Sequence, residues 1–162
     1  MADLETGFAD DDGTADPSVL AAVADFAARP TLMSAAVLLD VLSGSRLLVP
    51  VVAVTDNVEF DEHGRPHEKD SHMRSVEFHA ADGRRELLAF TGTDALAEWD
   101  PQARPIPRQA HIVAQSVLQA DLDALIVDIA GPTPATIDGA MLVRLAVSAH
   151  RQRYLDAALE DA

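Results

Sequence analysis

Between residues 17 and 42 apolar positions recur every three or four residues, the period of a helix with one buried face. Val19, Val23, Phe26 and Ala27 form the first stripe, opened by Asp16 at the cap and Pro17 at the first helical position. Arg29-Pro30 ends it. Thr31 opens a second helix, with Leu32, Ala35, Ala36 and Leu39 predicted inward, and "SGS" at 43–45 stops it. The rhythm then changes. "RLLVPVVAV" is a β-rich run, although Pro50 has no N–H for a ladder and is predicted at a bulge or a sheet edge. "RSVEFHA" alternates, with Val76 and Phe78 on one face and Ser75, Glu77 and His79 on the other. Asp82-Gly83 is a hairpin signal leading into "RRELLAF". The stretch 55–72 therefore joins two strands able to pair.

Thr91 or Thr93 is predicted to cap a short helix ending at Trp99. "DPQARPIPRQ" contains three prolines in seven residues and reads as irregular. From Gln109 to Ala120 the helical rhythm returns, with Ala110, Val113, Ala114 and Val117 inward. "ALIVDIA" has the composition of a fully buried strand, "GPTP" turns the chain into a short strand "ATI", and Asp138 is predicted to cap a long last helix. The stripe of that helix (Leu142, Leu145, Ala149) breaks at "RQR" and resumes at Tyr154, Leu155, Ala158 and Leu159. The order α-α-β-β-β-α-α-β-β-α predicts an α+β fold, a mixed and mostly antiparallel sheet packed by helices. The two-helix crossover can bring in one parallel strand.

Composition narrows the function classes. Of 162 residues 48% are hydrophobic, enough for one globular domain, while aromatics are only 4%, so the core must be aliphatic. The formal charge of −15 argues against nucleic acid and anionic membranes as partners, since both select for Lys and Arg. With no cysteine, disulfides, thiolate metal sites and a cysteine nucleophile are excluded. Residues 1–16 carry six acids and no Lys or Arg, which predicts a flexible acidic tail ahead of a single domain at 17–160. "DDDGTAD" is not a calcium loop: with Gly13 as the sixth position, the first and twelfth would be Phe8 and Val19, neither an oxygen ligand. The N-terminus lacks the basic and apolar regions of a signal peptide, and "LLVPVVAV" is far shorter than a membrane span, so a cytoplasmic protein is expected.

"RLLVPVVAV", "EKDSHM" followed by a strand, "LLAFTGTDALAEWDPQARPIP" and "ADLDALIVDIAGP" occur in that order. Together they resemble the N-terminal domain of the SseB (enhanced serine sensitivity) family, over roughly residues 35 to 147. The third stretch carries most of the resemblance. His72 departs from it, standing before Met73 where an acid is expected. Longer members carry a C-terminal domain not included in this chain. The resemblance implies no catalytic residue, cofactor or ligand.

Three candidate sites remain. His63, His67 and His72 lie among acids, and His63 and His67 have a helical i, i+4 ligand spacing. Gly64 and Pro66 oppose a helix there, so a solvated connection without metal is expected. Trp99, Asp100, Arg104 and Pro105 form the second candidate. An arginine on a stiff, proline-flanked backbone can grip a carboxylate bidentately; alternatively Trp99 plugs the core and Arg104 pairs with an internal acid such as Asp128. Asp128 itself, after "LIV", either serves a site or caps backbone N–H groups. With no P-loop, GxSxG, GxGxxG or HExxH, no enzyme activity and no cofactor are expected. The leading expectation is a protein-interaction or adaptor module with an unknown protein or peptide partner, and with a possible homodimer through the C-terminal helix. The alternative is a sensor for a carboxylate-containing metabolite, linked to amino-acid metabolism. A metal-dependent enzyme ranks third. A closed pocket beside Arg104 would favour the sensor; a broad apolar patch would favour the adaptor.

Overall fold

A computed structural model describes residues 8–55, 58–60, 66–68, 71–149 and 157–160. Two helices packed against one another open the fold, α1 (Pro17–Ala28) and α2 (Leu32–Ser43). The Asp16 carboxylate accepts from the Ser18 N–H at α1, as predicted from Asp-Pro. At α2 the Thr31 hydroxyl accepts from the Ser34 N–H, while the Ser34 hydroxyl accepts from Thr31 N–H, a reciprocal capping box. The buried stripe of α2 is Ser34, Leu38 and Leu42. Leu32 and Ala36, predicted inward, are exposed. "LMSAAVLLDVL" is apolar round most of its circumference, so its pattern leaves the rotation of the helix open, and the capping role of Ser34 draws that polar residue inside.

The strands are β1 (Arg46–Thr55), β2 (Val58–Phe60), β3 (Pro66–Glu68), β4 (Ser71–Ser75), β5 (Glu77–His79), β6 (Arg85–Ala89), β7 (Arg104–Gln109), β8 (Ala124–Val127) and β9 (Ala135–Asp138). Helices α3 (Thr93–Trp99), α4 (Ala110–Gln119) and α5 (Gly139–Ala146) complete the order. The predicted α+β class and element order hold, with short strands added. β1 pairs antiparallel with β4, so the two strands flanking 55–72 do meet, and β2 and β3 form a small hairpin inside that stretch. His63 lies outside the described residues; the backbone at His67 and His72 runs in β3 and β4. Asp82-Gly83 makes the β5–β6 hairpin, with Gly83 at φ +88°. The crossover through α3 and α4 places β8 parallel to β6, and β9 returns antiparallel.

Leu48 exchanges both backbone hydrogen bonds with Phe90, at 2.8 Å each, and so ties β1 to the end of β6. The alternation then sorts the sheet into two faces. Leu47, Val49, Leu87, Ala89, Leu125 and Val127 pack under the buried faces of α1, α2, α4 and α5 in one aliphatic core. Leu48, Leu88, Phe90 and Ile126 face the other way and pack with Leu96 of α3.

Three expectations need correction. Pro50 lies inside the central strand of β4-β1-β7, not at an edge. Its nitrogen points to the same side as that of Leu48, where the chain passes from β4 to β5, and its carbonyl accepts from Val76 N–H. No ladder donor is needed there. The acidic segment is also not a free tail from Asp11 onward: Asp11 pairs with Arg46 on β1, and the Thr93 N–H donates to the Gly13 carbonyl at 2.8 Å. Asp138 makes no side-chain cap at α5; its carboxylate accepts from Arg84 at 3.1 Å instead.

Candidate functional site

The proline-rich segment expected to be irregular forms β7, paired residue by residue with β1 from Arg46↔Gln109 to Val51↔Arg104. The prolines fit because of their phase. Leu48 directs its N–H and C=O to Phe90, so Leu47, Val49 and Val51 direct theirs to β7. The residues of β7 that bond β1 are therefore Arg108, Ile106 and Arg104, and the nitrogens of Pro105 and Pro107 turn to the outer edge. A strand edge without N–H donors resists pairing with another chain.

The same phase sets the side chains. Arg104, Ile106 and Arg108 share the sheet face of Val51, Val49 and Leu47, the face covered by α4. Where α4 leaves that face uncovered, Val49, Val51, Leu87, Ile106 and Val113 line a cleft of about 400 Å³, with Arg108, Ser75 and Ser116 as its polar lining. Its size and its apolar lining with few polar groups are those of a small-molecule site. Arg108 is half-buried and Arg104 exposed. Neither makes an ion pair or side-chain hydrogen bond among the described residues. The Ser116 hydroxyl donates to the Ile112 carbonyl at 3.0 Å.

The other predicted residues are elsewhere. Trp99 packs on the second core, its ring 5.6 Å from that of Phe90 and tilted by 32°. Asp100 closes a turn, its carboxylate accepting from the Gln102 N–H at 2.9 Å. Pro105 lies on the blunted edge. Asp128 is buried and does not meet Arg104: its two oxygens accept from the N–H and the hydroxyl of Thr91, at 2.8 and 2.7 Å. The capping alternative describes Asp128, with Thr91 as the group it caps. Its φ of +55° lets the chain turn sharply after β8.

A second arginine site had no counterpart in the sequence reading. Arg46, the first residue of β1, sends Nε and Nη2 to the two carboxylate oxygens of Asp11, Nη1 to the Thr91 carbonyl, and Nη2 also to the Thr14 carbonyl at 2.8 Å. Only 13% of its side chain is exposed, and 15% of that of Asp11. The guanidinium hydrogen bonds hold the Asp11 carboxyl below its ordinary value of 3.8, outweighing the opposing effect of burial. Clefts of about 500 and 410 Å³ lie beside Arg46. The available signal was an arginine at a strand start and an Asp-x-Gly upstream, which is too common a combination to single out.

Among the described residues no helix is long and apolar enough to cross a membrane. No curated protein and no solved structure matches the chain. The family model of the SseB protein N-terminal domain matches residues 19–144, a span running from α1 to the last turn of α5. It takes in β1, the Thr91–Trp99 segment, β7 and the buried β8, the stretches on which the resemblance rested, and the chain belongs to the SseB family through this N-terminal domain.

Proposed function

We propose that the domain is a non-enzymatic binding module for a small anion with an aliphatic body, a carboxylate-bearing metabolite in particular. The observation that carries this is Arg108. In a chain with 27 acids and 12 Lys and Arg, a half-buried guanidinium at an aliphatic cleft has no carboxylate partner among the described residues. An external carboxylate would supply one, with its body on Val49, Val51, Ile106 and Val113, and Arg104 would add charge from four residues along the strand. Binding without catalysis is supported by the lining itself, where the Ser116 hydroxyl is engaged by its own helix.

Anilinonaphthalene sulfonate, an apolar fluorescent anion, tests the reading. Saturable fluorescence is expected, reversed by octanoate but not by octanol, and weakened roughly tenfold or more by Arg108→Ala, as expected for a lost charged hydrogen bond. Equal competition by octanol, or unchanged binding in Arg108→Ala, would overturn it. A protein-interaction role is favoured by a different observation: Leu32 and Met33, in the first turn of α2, are 94% and 74% exposed. Leu32→Glu would abolish such an interaction and leave dye binding intact. A cytoplasmic location remains part of this proposal.

A further inference from the structure

Residues 11–16 lie against β1 and the Gly92–Thr93 turn as a bound peptide lies in a receptor. The contacts select a sequence. Arg46 forks onto both oxygens of Asp11 and also reaches the Thr14 carbonyl, while Thr93 N–H donates to the Gly13 carbonyl. Gly13 has φ +80°, and a Cβ there would lie 2.4 Å from Cγ2 of Thr93, so the groove admits only glycine at that point. From the other side, a Cβ on Gly92 would lie 2.8 Å from the Ala15 nitrogen. The groove is thus shaped for an Asp-x-Gly backbone. The docking is mainly polar: within 11–16 only Gly13 is buried. Segments held by a few polar contacts open far more readily than the core. The two clefts beside Arg46 share Phe8, Gly44, Ser45 and Arg46, and Phe8 and Thr14 form parts of their walls, so release of the segment would join them over the guanidinium.

We infer that the Arg46–Thr93 groove is a binding site for an acidic Asp-x-Gly peptide of a partner protein, and that the chain's own residues 11–16 occupy it in cis as an autoinhibitory strap. Recognition of an acidic motif by arginine, with main-chain hydrogen bonds setting the register, is an established mode of peptide capture. A tethered strap has an effective concentration on the order of millimolar, so it blocks weak ligands and yields to tight ones.

The test uses the full chain and a fluorescein-labelled peptide of residues 8–16, followed by anisotropy. The double variant Asp11→Ala, Gly13→Ala weakens the strap and leaves the groove intact. It is expected to bind the peptide saturably and at least tenfold more tightly than wild type. Adding Arg46→Gln, or replacing the peptide's Asp11 with Asn, is expected to remove that binding. Hydrogen exchange on the wild type gives a second readout: the amides of Gly13 and Thr14 should exchange at least a hundredfold faster than those of β8. Absence of peptide binding by a folded double variant overturns the inference. So does binding that Arg46→Gln leaves unchanged, or strap amides exchanging together with the core.

Discussion

Arg46 and Arg108 lie almost side by side in the same sheet, since Arg46 opposes Gln109 and Leu47 opposes Arg108. They point to opposite faces and have opposite fates. Arg46 is enclosed by the chain that it holds, with Asp11, Thr14 and Thr91 as acceptors. Arg108 stands at a cleft with no acceptor from the described residues. The difference is one of phase along a strand. It shows that an arginine's surroundings here depend on which face the ladder assigns it: the fold uses one cation to close itself, while the other has no ion-pair partner among the described residues.

The largest effect that separates them is expected from Arg46→Ala. It removes a mostly buried pair and two carbonyl contacts and leaves Asp11 uncompensated, a loss of about 2–4 kcal/mol. For a domain of this size the melting temperature should fall by roughly 6–12 °C. A fall under about 2 °C would place Arg46 with Arg108 and erase the contrast. Next in size, Thr91→Val removes one of the two donors to the buried Asp128 carboxylate and should cost about 1–3 kcal/mol, read by chemical denaturation. An unchanged midpoint would mean that Asp128 is not a fold-holding acid and would return it to the list of binding residues.

Acid sharpens the comparison further. The carboxyl of Asp11 is held below its ordinary 3.8 in the folded state, so its contribution is fully present above that value and is lost as pH falls through the folded pKa. The melting-temperature gap between wild type and Asp11→Asn should therefore be constant from neutrality to about pH 5 and shrink below 3.8. A gap that widens on acidification would show that another group governs the strap. The smallest stability effect is expected from Arg108→Ala: within about 0.5 kcal/mol, as for a surface substitution, while affinity for anilinonaphthalene sulfonate falls. A large stability loss there would show a structural partner and remove the basis of the proposed site.

Much of the scaffold could be read along the chain, because it depends on local periodicity. The buried stripe of α4, the unbroken burial of β8 and the Asp-Gly hairpin follow from residue spacing and turn chemistry. The segment after Trp99 could not, since Pro105 and Pro107 oppose a strand only when their nitrogens are needed for pairing. Whether they are needed depends on Leu48 and Phe90, 42 positions apart in the chain but joined by two hydrogen bonds of 2.8 Å. The rotation of α2 was likewise open, because an all-apolar helix buries whichever face its neighbours cover.

The sequence by itself determined the α+β class, the order of elements, the aliphatic character of the core and membership of the family, since each rests on near neighbours or on ordered motifs. Tertiary structure alone decided the partners of charge. Asp11 met Arg46, 35 positions away, and Asp128 met Thr91, 37 positions away, while Arg108 met no acid among the described residues. The physical reason is that a charged hydrogen bond needs atoms within about 3 Å and in line. That proximity is produced by strand register and packing, to which spacing along the chain is no guide.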